Sequence, residues 1–155
     1  GDCQLMGIEL QRPSSDDPQR QAEFCGQLAN AARQRFPGLS YFTTTLRQAV
    51  SASHNNWGGM LFDCFTAQSA FAPLQDGHWS PYPIFNIVDR VGAGDAYAAG
   101  LLYGLTNPEF NLQRTVEFAT AASCLAHSIV GDFNFCSREE IEELMAGNTS
   151  GRVVR

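Results

Sequence analysis

The pattern of apolar and polar residues predicts a long helix in the first quarter of the chain. From residue 18 to residue 36, apolar side chains recur every three or four positions, as in an amphipathic helix. Asp17 is suited to cap the start of this helix, and Pro18 fits its first position. Pro37 and Gly38 then end it, because proline interrupts helical hydrogen bonding.

The middle of the chain contains short runs rich in β-branched and aromatic residues, which predict strands. We place these strands at residues 39–46, 57–62, 65–71 and 84–88. The second and third are close enough in sequence to pair as a hairpin. Polar and proline-rich segments predict a turn at 51–56 and a loop at 73–83.

Further helices are predicted in the second half of the chain. Two of them are placed at residues 94–105 and 112–129, and a capping box at Ser137–Glu140 opens a last one that runs to about Ala146. Gly100 and Gly104 share one helix face, where a neighbour can approach closely. Gly131 is placed to end the helix before it. Helices alternating with apolar strands predict a layered α/β domain.

The turn between the last predicted strand and the next helix carries the clearest chemical signal. Gly92, Ala93 and Gly94 have too little side chain to cover the backbone N–H groups at the helix start. Bare N–H groups and the positive end of the helix dipole together form an anion site. Asp95 follows in the same turn, which places a carboxylate base beside that site. A helix whose first turn is stabilised by Asp95 is the simpler interpretation of the same residues.

Composition narrows the classes of function. The 155 residues are enough for one domain with a real core, and 44% of them are hydrophobic. A net charge of −6 argues against binding to nucleic acid or to anionic membranes, and no apolar run reaches the roughly 20 residues of a membrane span. All ten basic residues are arginines, which excludes a P-loop lysine, a Schiff-base lysine and a Ser-Lys dyad within this chain.

The five cysteines are scattered and include no C-x-x-C pair, which is typical of reduced thiols in a cytoplasmic protein. Cys124 and His127 are three residues apart on one predicted helix, where a metal could be bound. No further ligands follow at a suitable spacing, so packing is the preferred interpretation of this pair.

The segment Asp89-Arg-Val-Gly-Ala-Gly-Asp95, followed by a small-residue helix, resembles the second signature of the ribokinase-like (PfkB) carbohydrate kinases. That signature usually reads Asp-Thr-x-Gly-Ala-Gly-Asp, so Arg90 is a departure from it. Further similar stretches look most like the 2-keto-3-deoxygluconate kinase branch, and they are Thr44–Ser53, Asn56–Gly59, Gly131–Asn134 and Gly151–Arg155.

The resemblance implies a ribokinase-like three-layer α/β/α fold. Residues 1–155 would be the C-terminal part of a kinase domain, which carries the ATP site and the catalytic base. The N-terminal half, which supplies most sugar contacts and the lid, would be absent, and the chain alone would be nearly inactive. The implied reaction is ATP-dependent phosphorylation of 2-keto-3-deoxygluconate to its 6-phosphate, with Mg²⁺ and, in some members, K⁺ as cofactors.

The resemblance also implies roles for individual residues. Asp95 matches the base that takes the proton of the attacking sugar hydroxyl, and Gly92–Gly94 match the anion hole for the transferred phosphoryl group. Asp89 would either help to coordinate a monovalent cation or tie down the glycine turn by hydrogen bonds. Arg90 would pair with a phosphate or with the sugar carboxylate, or else pack over the surface.

A second set of residues matches the nucleotide side of these kinases. Thr45 and Arg47 are expected near the ATP phosphates, where the strand around residue 45 ends. The residues expected to wall the adenine pocket, or else to pack between helices, are Ala121, Cys124, Leu125 and His127.

Other functions fit parts of the sequence. The sugar could instead be fructose, ribose or another substrate of PfkB kinases, and the chain could be a nucleotide-binding module without catalysis. A hydrolase that uses Asp95 to activate water is disfavoured, because the sequence offers no metal cluster or Ser-His pair for it. The expected partners are a sugar acid and ATP, and an exposed apolar surface would favour a homo-oligomer.

Overall fold

The computed structural model describes residues 2–11, 13 and 17–147, so the stretch 151–155 lies outside the described part. The helices are α1 (Asp2–Leu5), α2 (Pro18–Arg35), α3 (Ala93–Thr106), α4 (Leu112–Ala126) and α5 (Arg138–Met145). The strands are β1 (Tyr41–Ala49), β2 (His54–Asp63), β3 (Gln68–Ala72), β4 (Leu74–Gln75), β5 (His78–Trp79) and β6 (Tyr82–Phe85). None of the described helices has the length and apolar character needed to cross a membrane.

Strand β2 is the centre of the main sheet. It pairs with β1 on one side along almost its whole length, for example Thr45 opposite Gly59. On its other side its first half pairs with β6 and its second half with β3, which confirms the predicted hairpin of β2 and β3. All these pairings are antiparallel.

Helices cover both faces of this sheet, because successive side chains of a strand point to opposite sides. Met60 and Phe62 of β2 pack with Cys25 and Ala29 of α2. Leu61 points to the other face, where its apolar cluster is completed by residues of α3 and α4, including Tyr97, Leu101 and Val116. The molecule is therefore a three-layer α/β/α arrangement, as expected.

Helices α3 and α4 lie close together because glycine replaces side chains at their contact. A Cβ atom on Gly100 would lie 2.7 Å from the Cα of Ala119, and one on Gly104 would lie 2.7 Å from Thr115 Cγ2. The expected close approach at this glycine face is confirmed. It brings the start of α3, with its preceding turn, beside the end of α4.

Capping explains why the helices begin where they do. The Asp17 carboxylate accepts a hydrogen bond from the Gln19 N–H, and Pro18 occupies the first turn of α2. Ser137 and Glu140 form the predicted capping box of α5. The Asn111 side chain caps α4 by accepting a hydrogen bond from the Arg114 N–H.

Several predicted boundaries were wrong. Strand β6 ends at Phe85 rather than at residue 88, because Asn86 has a positive φ of 56° and the next N–H groups leave the sheet. Helix α4 ends at Ala126, and Gly131, with φ of 87°, lies beyond it in a loop. Strand β2 begins at His54 inside the predicted turn, and the predicted loop 73–83 contains the small hairpin of β4 and β5 and the start of β6.

Replacing Gly100 by alanine should destabilise the chain by about 1–3 kcal/mol, because the new methyl group would push α3 away from the backbone of α4. Gly26 is the matched control, since it lies in α2 and nothing lies within 4 Å of a Cβ placed there. Gly26→Ala should stabilise the chain by about 0.5–1 kcal/mol through its better helix propensity. Urea unfolding measures both, and changes of the same sign would contradict this account of the packing.

Candidate active site

The glycine turn leads into α3 without a side-chain cap. Gly92 is the N-cap residue of α3 and adopts a left-handed conformation with φ of 78°. Within the described part of the chain, no side chain accepts a hydrogen bond from this helix end, whereas side chains cap α2, α4 and α5. The first N–H groups of α3 can therefore bind an anion, and the helix dipole adds to the attraction.

Gly92 is required for a second reason, which is its contact with the loop after α4. A Cβ atom on Gly92 would lie 2.6 Å from the carbonyl oxygen of Asp132 and 2.7 Å from its Cα. Sequence reasoning did not single out Asp132 as a neighbour of this turn. The contact is made by backbone atoms, so the identity of the side chain gave no signal.

Asp89 ties the same two segments together. Its Oδ1 accepts hydrogen bonds from the N–H groups of Arg90 and Val91 at 2.6 and 3.1 Å. Its Oδ2 accepts one from the Gly131 N–H at 2.9 Å. These three donors, with Gly131 first, hold the pKa of Asp89 below its usual value. The geometry favours the predicted tying role, while binding of a monovalent cation stays a prediction.

The end of α4 holds the segment between β6 and the turn. The carbonyl of His127 accepts hydrogen bonds from the N–H groups of Val88 and Asp89, at 2.9 and 3.4 Å. Ser123 donates a hydrogen bond of 2.6 Å from its hydroxyl to the carbonyl of Ala93. Sequence reasoning assigned Ser123 no role in the site.

Asp95 lies in the first turn of α3, beside these N–H groups, and its side chain is exposed. Gly94 is also exposed, and nothing lies within 4 Å of a Cβ placed there. Ala96 and Tyr97 instead face the interior and are buried. The helix thus presents its candidate base outward, where a hydroxyl group can reach the carboxylate.

Thr45 and Arg47 lie on the sheet face that α3 covers. The neighbouring Thr43 hydroxyl is 2.9 Å from the Tyr97 hydroxyl of α3, and alternate residues of a strand share a face. Arg47 is exposed and Thr45 is half-buried. Both border a groove of about 800 Å³ along β1, but no residue of the glycine turn lines it.

The four residues predicted to wall the adenine pocket differ in their exposure. Ala121 and His127 are at most 2% exposed, so a nucleotide contact at these two side chains is not supported. Cys124 and Leu125 are half-buried and pack between α4 and α5. A contact of these two with adenine stays a prediction.

His127 is instead part of the core. Its Nδ1 lies 2.9 Å from the Ser123 carbonyl, and the ring meets Trp57 edge-on at 4.7 Å. Burial lowers the pKa of His127, and the positive charges of Arg90 and Arg47 lower it further. Among the described residues, no three His, Cys, Asp or Glu side chains form a metal cluster.

Comparison with known proteins gives this geometry a context. The family model for pfkB family carbohydrate kinases matches residues 67–144, which include the glycine turn. The chain belongs to the pfkB family of carbohydrate kinases. The expected ribokinase-like fold is confirmed by the solved relatives described next.

Individual pfkB relatives are similar over much of this chain. The crystal structure of 2-dehydro-3-deoxygluconokinase from Thermotoga maritima is 40% identical, with a TM-score of 0.70 over 81% of this chain and 35% of its own. A pfkB carbohydrate kinase from Listeria grayi is 33% identical, with a TM-score of 0.65 over 86% of this chain and 36% of its own. A curated 5-dehydro-2-deoxygluconokinase from Geobacillus kaustophilus is 36% identical over 75 residues, which are 45% of this chain and 21% of that protein. The chain thus spans little more than a third of the solved relatives and about a fifth of the curated one.

The lowered pKa of Asp89 predicts how the stability of this pfkB chain changes with pH. A carboxyl group whose pKa is lower in the folded state stabilises folding above its unfolded pKa of about 3.9. That contribution is lost as the pH falls through the lower, folded pKa. Asp89→Asn should therefore lower stability at pH 7, and the difference from wild type should shrink below pH 4.

Urea unfolding between pH 3 and pH 7 measures this difference. Asp76→Asn is the control, because Asp76 lies in an exposed turn at φ of 52°, a conformation that asparagine also adopts. A constant difference between wild type and Asp89→Asn across this range would contradict the role given to the ionised carboxylate.

Gly92→Ala should destabilise the pfkB turn by about 1–3 kcal/mol, because alanine is strained at this φ and its methyl group would meet Asp132. Gly94→Ala adds the same methyl group two residues later, in open space. It should leave the free energy of unfolding within about 0.5 kcal/mol of wild type. Thermal or urea unfolding separates the two variants, and equal losses would show that the contact with Asp132 is unimportant.

Proposed function

We propose that this chain is the C-terminal, ATP-binding part of a kinase that phosphorylates a sugar acid. The preferred reaction transfers the γ-phosphoryl group of ATP to the 6-hydroxyl of 2-keto-3-deoxygluconate. The observation that carries the proposal is the uncapped start of α3 with exposed Asp95 in its first turn, in a pfkB chain. The similarity to the Thermotoga maritima 2-dehydro-3-deoxygluconokinase supports the choice of substrate.

The proposed mechanism uses two groups of the turn. Asp95 accepts the proton of the attacking hydroxyl, so that the oxygen can form a bond to phosphorus as the bond to ADP breaks. The N–H groups at Gly92–Gly94 and the helix dipole stabilise the charge on the transferred phosphoryl oxygens. Asp89 and Asp132 contribute by fixing the turn, since catalysis of this kind depends on positioning.

ATP is proposed to approach from the side of β1 that carries Thr45 and Arg47. Arg47 is exposed there and can meet a phosphate of the nucleotide by a charge-assisted hydrogen bond. Mg²⁺ usually binds through substrate phosphates, water and one or two carboxylates, so it does not require a protein cluster of three ligands. The described residues fit that pattern, because they leave the ligands of Mg²⁺ mainly to the ATP phosphates and water and keep Asp95 as the base. When bound, Mg²⁺ would neutralise part of the phosphate charge.

The identity of the sugar has one further candidate. The Geobacillus kaustophilus relative is named a 5-dehydro-2-deoxygluconokinase, which favours 5-dehydro-2-deoxygluconate as the second substrate to test. A nucleotide-binding chain without catalysis is the alternative outside the kinases. Calorimetric titration with ATP and Mg²⁺, together with ADP release, tests that alternative, because ATP binding without turnover by the full-length protein would favour it.

Asp95→Asn should lower kcat of the full-length protein by roughly 10²- to 10⁴-fold, because asparagine cannot accept the proton. KM should change little, since the side chain keeps its size. ADP release is measured with 2-keto-3-deoxygluconate, 5-dehydro-2-deoxygluconate, fructose and ribose at equal concentration. Glu109→Gln, an exposed position in the α3–α4 connection, is the control.

Turnover of the sugar acids alone, lost in Asp95→Asn, would support both the substrate class and the base. Turnover of fructose or ribose instead would overturn the substrate. Full activity of Asp95→Asn would overturn the mechanism.

A further inference from the structure

We infer that Arg90 is a positioning residue that fixes the β1–β2 turn, residues 50–53, to the segment leading into the glycine turn. The sequence suggests a phosphate or carboxylate partner for this arginine. In the structure its Nη2 donates a hydrogen bond of 2.6 Å to the carbonyl of Ala52. The partner is therefore the backbone of another loop, 38 positions earlier in the chain.

A second hydrogen bond joins the same two segments. The N–H of Ile87 donates to the carbonyl of Ser53 at 3.2 Å, next to the carbonyl that Arg90 engages. Within the turn, the N–H groups of Val50 and Ser51 both donate to the His54 carbonyl at 3.0 Å. Arg90 and Ile87 thus donate to two successive carbonyl groups, those of Ala52 and Ser53. The turn that carries these carbonyls also has its own internal hydrogen bonds.

The position of this turn explains why the contact between Arg90 and Ala52 matters for the proposed site. The turn follows directly on β1, the strand that carries Thr45 and Arg47. Arg90 precedes Gly92 by two residues, within the segment that Asp89 and the His127 carbonyl hold from the other side. One side chain therefore joins the strand proposed for ATP to the turn proposed for the transferred phosphoryl group.

Arginine suits this role better than the threonine that is usual in the signature. Its guanidinium carries five N–H donors in a rigid fork on a long stem, and a hydrogen bond from a charged donor is stronger than one between neutral groups. The turn is otherwise exposed at Ala52 and Ser53, so its own packing does little to fix it. Removing the guanidinium leaves the hydrogen bond from Ile87, next to the pairing of His54 with Phe85, to hold the two segments together.

Amide hydrogen exchange of the 155-residue chain tests the contact without any ligand. In Arg90→Met, the amides of Val50, Ser51 and Ile87 should exchange about tenfold faster, because the turn opens more often. The Gly131 amide should be unchanged, since Asp89 holds it. Arg35→Met removes the same charge at the exposed end of α2 and should leave these amides as in wild type.

A kinetic comparison in the full-length kinase distinguishes positioning from substrate contact, and this part rests on the proposed function. Arg90→Met should lower kcat roughly tenfold or more, because misplacing reacting groups is costly, with similar KM changes for sugar acid and ATP. Arg90→Lys keeps a positive donor and should recover part of the loss.

Three results would overturn the inference. A rise in KM for the sugar acid alone, with unchanged exchange, would identify a substrate contact. Faster exchange with unchanged kcat would reduce Arg90 to a structural role, and unchanged exchange at all three amides would remove the contact itself. A wild-type protein without kinase activity would refute the proposed function, while the exchange pattern would still decide whether Arg90 holds the turn.

Discussion

The rest of the site depends on the backbone hydrogen bonds that hold the segment 86–91 without making it a strand. The carbonyl of His127 and the carboxylate of Asp89 supply most of these acceptors and bind the segment to the end of α4 and to Gly131 in the loop that follows. A backbone that left its N–H groups unpaired here would lose stability and position together. The candidate anion site at the start of α3 therefore depends on two loops and one helix end.

Local rules account for what the sequence predicts well. The cap at Asp17, the capping box at Ser137 and the glycine face of α3 involve residues that are neighbours in sequence or on one helix. The candidate base Asp95 and its turn could be proposed for the same reason, because the turn and the start of the helix are continuous.

The failures have a common physical cause. The apolar run at 84–88 reads as one strand, yet Val88 bonds to a helix end that is about 40 positions away and Ile87 bonds to the β1–β2 turn. The contact of Arg90 with Ala52, and that of Gly92 with Asp132, each have the backbone of a distant segment as the partner. Such partners carry no side-chain signature. The burial of Ala121 and His127 was not predictable either, because helical spacing does not reveal which face a neighbouring helix or strand will cover.

The position of β1 at the margin of the main sheet has a practical consequence. Among the described strands it pairs only with β2, so the other edge of a nine-residue strand presents its backbone donors and acceptors outward. An edge of this length is a template for another strand. At high concentration, two copies of this chain can extend one sheet into the other. If a longer protein supplied a strand at this edge, that strand would prevent the pairing of two copies and would continue the sheet.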